Sequence, residues 1–251
     1  MSEDSNTLFE EPADFAANDA TPTYINYERT NPPADQPPEL TLRLVARSPL
    51  WGHLLWNAGR VCAEWVDSHA ADLRGKTVLE LGAAAAVPAL LAAFSARNVV
   101  ITDYPDANLM ENIEHNMQLL RDQCPNRVLP MTSAGYVWGE DPQKLFDAPG
   151  QMGQKFDLVI MSDLLFNHGE HEHLLKTVEL TLSADGEALV VFSPHRPRLY
   201  TKDLEFFDRA RTHGFRVKNI IERRMSPMFE ADQDTKELRS MVFGYMLSWD
   251  N

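Results

Sequence analysis

Residues 76–106, KTVLELGAAAAVPALLAAFSARNVVITDYPD, constrain the chain more than any other stretch. Residues 77–81 form a short, apolar, partly β-branched run suited to a buried strand, and residues 82–86 carry no bulky side chain. Pro88 opens a helical run to about Ala96, and residues 99–102 read as a second strand. Asp103 closes the unit 21 residues after Gly82. This is the layout of a nucleotide-binding βαβ unit, in which small residues let backbone approach the ligand and a carboxylate beyond the second strand takes ribose hydroxyls. Only one glycine is present, with Ala84 and Ala86 at the later positions, so a pyrophosphate cradle is less expected than a site for a less demanding ligand.

A second block, FDLVIMSDLLFNHGEHEH, places an apolar strand at 156–161 with Ser162 and Asp163 at its C-terminal end, where open α/β sheets put ligand sites. Asp163 is either a ligand-facing carboxylate or a cap on the following turn. Asn167 and Glu170 read as a capping box, which accounts for much of HGEHEH. His168, His171 and His173 match no HExxH or His/carboxylate spacing, so no metal is expected. Two tryptophans stand outside the regular patterns. Trp56 falls off the helical stripe Leu54, Ala58, Val61, Cys62, Trp65 and shares a face with Gly59 and Ala63, so it either roofs a hollow or edges the core. Trp138 lies in a Gly-flanked loop, where it either stacks on a base or anchors the loop.

Asp106 caps a helix whose apolar face is Leu109, Ile113, Met117 and Leu120, and residues 127–131 read as a third strand. Residues 187–193, 215–222 and 239–249 supply further strands; the last alternates Met241, Phe243, Tyr245, Leu247, Trp249 with period two. Because a loop rather than a helix joins the final pair, the C-terminal strand should run antiparallel. The expected fold class is α/β: a doubly wound, seven-stranded Rossmann-like sheet, mostly parallel with an antiparallel C-terminal strand.

Charge bears on partners. The 251 residues carry a net charge of −14, which disfavours general binding to nucleic-acid phosphate and suits a basic partner. Residues 1–40 hold nine acids against one base, Arg29, and six of the 16 prolines. They are expected to be an acidic extension, extended or disordered, with Tyr24, Ile25 and Tyr27 as points of partial anchoring, ahead of a domain at 41–251. A solvated tail is preferred over a lid or lure for a basic substrate. The longest apolar run, residues 83–94, is twelve residues and contains Pro88, so no membrane span is expected. The acidic start resembles no secretion signal, and two cysteines, Cys62 and Cys124, make no disulfide framework. A reducing setting, cytosolic or nuclear, is expected, and of the two the cytoplasm is preferred.

With these residues in view, LLWNAG, VLELGAAAAVPALLAA, TDYPDANLMENIEHN, SDLLFNHGEH and SPMFEADQDTKELRSMVFGYML resemble the fungal elongation factor 1-alpha N-terminal and lysine N-methyltransferases, once described as nicotinamide N-methyltransferase-like. These belong to the seven-strand, class I, S-adenosylmethionine-dependent methyltransferases. The resemblance runs from about Tyr24 to the end. It implies S-adenosylmethionine as cofactor, with Glu80, Gly82, Ala83 and Ala84 at its methionine end. Asp103 would take the ribose hydroxyls, Trp138 would lie on the adenine, Ser162 would line the pocket and Trp56 would close it. It implies a protein substrate, the N-terminus of elongation factor 1-alpha, whose amine Asp163 holds, with Phe166 and Tyr104 as an apolar or cation-π wall. Phe166 stands where many relatives of the wider class carry tyrosine, which removes a tyrosine-hydroxyl role. A monomer is the default expectation. A small-amine methyltransferase, a scaffold without turnover and an NAD-binding oxidoreductase are the competing readings.

Overall fold

The computed structural model describes residues 21–46, 51–228 and 235–250. Its elements are β1 (Thr23–Glu28), β2 (Glu39–Leu44), α1 (Asn57–Ser68), β3 (Thr77–Leu81), α2 (Val87–Ala92), β4 (Asn98–Asp103), α3 (Ala107–Gln123) and β5 (Met131–Gly135). Then come α4 (Gln143–Phe146), β6 (Phe156–Ser162), α5 (His171–Thr181), β7 (Leu182–Phe192), α6 (Tyr200–Thr212), β8 (Phe215–Arg224), α7 (Lys236–Arg239) and β9 (Met241–Trp249).

Seven strands form one sheet in the order β5-β4-β3-β6-β7-β9-β8. All pairs are parallel until β9, which inserts between β7 and β8 and runs antiparallel to both. The sheet is covered on both faces, so its central strands bury apolar side chains on both sides. Val78, Val99, Ile101, Leu158 and Ile160 point to one core with α1, α2 and α3. Leu79, Leu81, Val100, Val159 and Met161 alternate to the other core, with α5 and α6. The chain builds outward from β3 to β4 and β5, then returns to place β6 on the other side of β3. That reversal opens a crevice at the C-terminal ends of β3 and β6.

The structure corrects the expected boundary at residue 40. β1 and β2 form an antiparallel hairpin from Thr23↔Leu44 to Glu28↔Glu39, so residues 23–28 and 39–44 make one unit that crosses it. Tyr27, Leu40, Leu42 and Leu44 are buried, and Ile25 packs on the same core, whereas Tyr24 stays exposed with its hydroxyl 3.0 Å from His115 Nε2. Arg29, the one base of the acidic stretch, is buried. It donates from Nε and Nη2 to Asp67 on α1 at 3.0 and 2.6 Å and from Nη1 to the Pro37 carbonyl at 3.0 Å. Residues 1–20, to which the tail and lure readings also refer, lie outside the described residues.

Two local expectations also change. The third strand is Met131–Gly135, not 127–131, because Pro130 cannot donate to a ladder and Val128 is turned out to solvent. The capping box does not form: neither Asn167 nor Glu170 makes a side-chain cap, and Glu170 instead lies 2.9 Å from His173 Nδ1.

Candidate active site

A cavity of about 370 Å³ occupies the crevice. Trp56, Glu80, Gly82, Ala83, Ala84, Asp103, Trp138, Ser162, Asp163 and Phe166 all stand in its wall. They come together because each sits at, or just beyond, the C-terminal end of β3, β4, β5 or β6, or at the N-terminal end of α1. Trp51, Tyr136, Leu164 and Glu170 join them, and sequence reasoning missed these. Trp51 had a visible signal, an aromatic before Gly52 and five residues ahead of Trp56; its carbonyl accepts from Trp56 Nε1 at 3.0 Å.

The β3–α2 turn explains how one glycine suffices. Gly82, Ala84 and Ala86 all adopt left-handed backbone, with φ of 58°, 47° and 62°. The alanines therefore take the conformation that glycine usually supplies, at a cost of about 1 kcal/mol each. Gly82 leaves room that a side chain would take: a Cβ there would sit 2.6 Å from Leu164 Cδ2 and 3.2 Å from Trp138 Cζ2, so Leu164 would have to move. The missing glycines thus change the room above the turn, not its path.

Asp103 secures that turn. Its Oδ2 accepts the Ala84 N–H at 2.7 Å and its Oδ1 accepts the Tyr104 N–H at 2.7 Å. Burial pushes its carboxyl up to about 6, against the pull of those two N–H groups. Glu80 accepts the Ala89 N–H in the first turn of α2 at 2.9 Å, and burial pushes it up to about 8, with nearby Asp103 adding to the rise. Each carboxylate oxygen that takes one N–H retains a further lone pair for a ligand donor.

Asp163 has φ of 59°, and its N–H reaches the Val191 carbonyl at 2.7 Å. Its Oδ1 accepts the Ser193 N–H at 3.2 Å and its Oδ2 lies 2.8 Å from His195 Nε2. Trp138 is half-buried on a loop pinned by Tyr136 Oη to the Glu140 carbonyl at 2.7 Å and by the Gly139 N–H to Thr177 Oγ1 at 2.8 Å. Its ring stands in the cavity wall and also packs against the core on the α5 and α6 side. The HGEHEH histidines are spoken for: His168 pairs with Asp203, His171 with the Leu165 carbonyl and His173 with Glu170. Among the described residues no three His, Cys, Asp or Glu side chains converge as a metal site.

The acidic side chains in the wall are Glu80, Asp103, Asp163 and Glu170; among the described residues no Lys, Arg or His lines it. Such a lining favours cations, and its aromatic members, Trp51, Trp56, Tyr104, Tyr136, Trp138 and Phe166, suit a flat base or an ammonium. A compact cationic nucleoside fits both features, and a dinucleotide, with its anionic pyrophosphate, does not.

Comparison with known proteins agrees. Solved structures that share the fold include SMU.776 complexed with SAH, with a TM-score of 0.58 at 11% identity over 83% of this chain and 53% of that one. Another is precorrin-6y C5,15-methyltransferase from Geobacter metallireducens, with a TM-score of 0.52 at 16% identity over 81% of this chain and 98% of that one. Relatives named protein N-terminal and lysine N-methyltransferase EFM7 are 46% identical in Debaryomyces hansenii, over 96% of this chain and 94% of theirs, and 42% identical in Yarrowia lipolytica, over 97% and 96%. The family model described as lysine methyltransferase matches residues 36–213, and with these relatives it shows that the chain belongs to that methyltransferase family.

Proposed function

We propose that the chain methylates the N-terminal α-amine and the adjacent lysine of elongation factor 1-alpha, as a cytoplasmic protein methyltransferase. S-adenosylmethionine is the cofactor. The observation that carries the substrate reading is the cavity wall, which holds four acidic side chains and, among the described residues, no basic one. An acidic chain presents that wall to a basic segment at long range.

When bound, the cofactor supplies an electrophilic methyl on a positive sulfur. Asp103 would hold the ribose hydroxyls by charge-assisted hydrogen bonds, and Trp138 would cover the adenine. Glu80 and residues 82–84 would face the methionine end, with Ser162 beside them and Trp56 closing over. Asp163 would hold the incoming amine against Phe166 and Tyr104. The amine must be neutral to attack: at pH 7 roughly a tenth of α-amines are free, against about one in 2,500 lysines. Alignment of that neutral amine in a water-poor cavity is the protein's main contribution.

The test is transfer of tritiated methyl groups to purified elongation factor 1-alpha, with nicotinamide in parallel. Label on the factor's N-terminal peptide is expected; label on nicotinamide alone would overturn the reading.

Glu80 makes affinity pH-dependent. With its carboxyl at about 8, it carries its proton at neutral pH in the free protein. A cation bound beside it favours the carboxylate, so binding expels that proton and tightens as pH rises from about 6 to 8, then levels off. S-adenosylhomocysteine, whose sulfur is uncharged, should show a shallower rise, and Glu80→Gln should remove the difference. Calorimetric affinities across that range decide it; parallel slopes for the two ligands would place Glu80 away from the sulfonium.

A further inference from the structure

His195 lies behind the cavity wall, in the segment that follows β7, and touches two members of that wall. Its Nε2 is 2.8 Å from Asp163 Oδ2, and its ring meets Trp56 edge-on with centroids 4.6 Å apart. Asp163 and His195 are both buried. A carboxylate offers only acceptors, so the proton in this bond sits on Nε2. The Ser193 N–H fills the other carboxylate oxygen, Arg196 donates to the Phe166 carbonyl, and Asp203 on α6 lies 2.7 Å from His168 Nε2. One segment, residues 193–203, thus grips the loop 163–168 at four points.

That grip has a purpose beyond packing. Asp163 is held in a left-handed conformation that a non-glycine residue leaves readily unless its neighbours insist. Its carboxylate bends back toward the backbone of Ser193 and the imidazole, which fixes its direction at the cavity wall. Trp56 has a second hold, from Nε1 to the Trp51 carbonyl, and keeps its place without the imidazole. Loss of His195 should therefore release Asp163 more than it disturbs the rest of the wall.

We infer that His195 is a positioning residue for methyl transfer, fixing through Nε2 the Asp163 carboxylate that holds the substrate amine. The inference rests on the role proposed above for Asp163. Misplacing a substrate-holding group by about 1 Å can cost on the order of a hundredfold in rate.

The experiment measures kcat on an N-terminal peptide of the factor, S-adenosylhomocysteine affinity and unfolding midpoint for Asp163→Asn, His195→Ala, His195→Gln and the double variant Asp163→Asn/His195→Ala. His195→Ala should lower kcat by about tenfold to a hundredfold with cofactor affinity within about twofold of wild type. His195→Gln, whose amide reaches the position of Nε2, should recover most of the rate. The double variant should be no slower than Asp163→Asn alone, because the two act as a unit. Multiplying effects, or a wild-type rate in His195→Ala beside a slowed Asp163→Asn, overturn the inference and leave the Asp163 reading standing. A wild-type rate in Asp163→Asn removes both. Should His195→Ala fail to fold, His195→Gln against His195→Asn decides the matter: the shorter amide cannot reach, so equal rates for the two overturn the inference.

Discussion

Replacing Asn116 by alanine should destabilise the protein by about 3 kcal/mol and loosen both the hairpin and the β3–α2 turn. Asn116 is fully buried on α3. Its Oδ1 accepts the Arg43 N–H at 2.7 Å, and its Nδ2 donates to the Arg43 carbonyl at 2.9 Å and the Ala85 carbonyl at 3.1 Å. Alanine satisfies none of these, and each orphaned buried group costs about 1–3 kcal/mol. Asn112, one turn earlier, also reaches the Arg43 carbonyl, at 3.0 Å, so that acceptor keeps a partner and the total falls below the full sum. For a chain of this size about 3 kcal/mol lowers the unfolding midpoint by roughly 6–12 °C. Asn116→Asp should be no better, since it keeps the acceptor for Arg43 but aims a second acceptor at two carbonyls. Faster hydrogen exchange at the Arg43 and Leu42 amides would accompany the loss. A variant as stable as wild type, with unchanged exchange there, would show that the hairpin holds itself.

That bridge also explains what could and could not be read in the chain. Strands such as Thr77–Leu81 and Phe156–Ser162 are legible because a strand buried on both faces reads as a mostly apolar run, broken here by Thr77 and Glu80 in one and by Asp157 and Ser162 in the other. Asp106 is legible as a cap because its partners, the N–H groups of Asn108 and Leu109, are local. The wall residues come together for a topological reason: strand C-termini converge at the reversal of strand order. The hairpin was hidden by its own composition, acidic and proline-rich, and by ties that span the chain. Arg29 meets Asp67 across 38 residues, and Arg43 meets Asn116 across 73. On α3 the stripe Leu109, Ile113, Met117, Leu120 is plain, while nothing local marks the equally buried Asn112 and Asn116, whose partners are distant backbone groups. His195 follows the strand 187–193 and so falls near the same sheet edge in the sequence, but its pairing with Asp163, 32 residues away, has no local sign. Ala84 and Ala86 mislead in the other direction: alanine in left-handed backbone is uncommon enough that the residue type argues for a different turn, yet the hydrogen bond from Ala84 to Asp103 keeps the glycine-like path.

Asp103→Ala should cost about 1.5–3 kcal/mol of affinity for S-adenosylhomocysteine, roughly tenfold to 150-fold, because hydrogen bonds to a charged group are lost. Its effect on stability should be much smaller, and the reason lies in two opposing contributions. Alanine strands the Ala84 and Tyr104 N–H groups beside the cavity, where solvent can only partly replace the carboxylate. Against that, the rise of the carboxyl from an ordinary 3.8 to about 6 means that the native state penalises the charged form by roughly 3 kcal/mol. The sign follows from linkage. Between about pH 4 and 6 the folded state binds more protons than the unfolded, so this group's contribution to stability falls as pH rises through that window, and the penalty is complete at pH 7. Removing the carboxyl removes the penalty together with the two bonds, so the terms largely offset. Wild type should therefore gain several degrees of unfolding midpoint from saturating S-adenosylhomocysteine, while Asp103→Ala, close to wild type without ligand, should gain little. Wild-type affinity in the variant would mean that Asp103 serves the turn alone and that the ribose is held elsewhere.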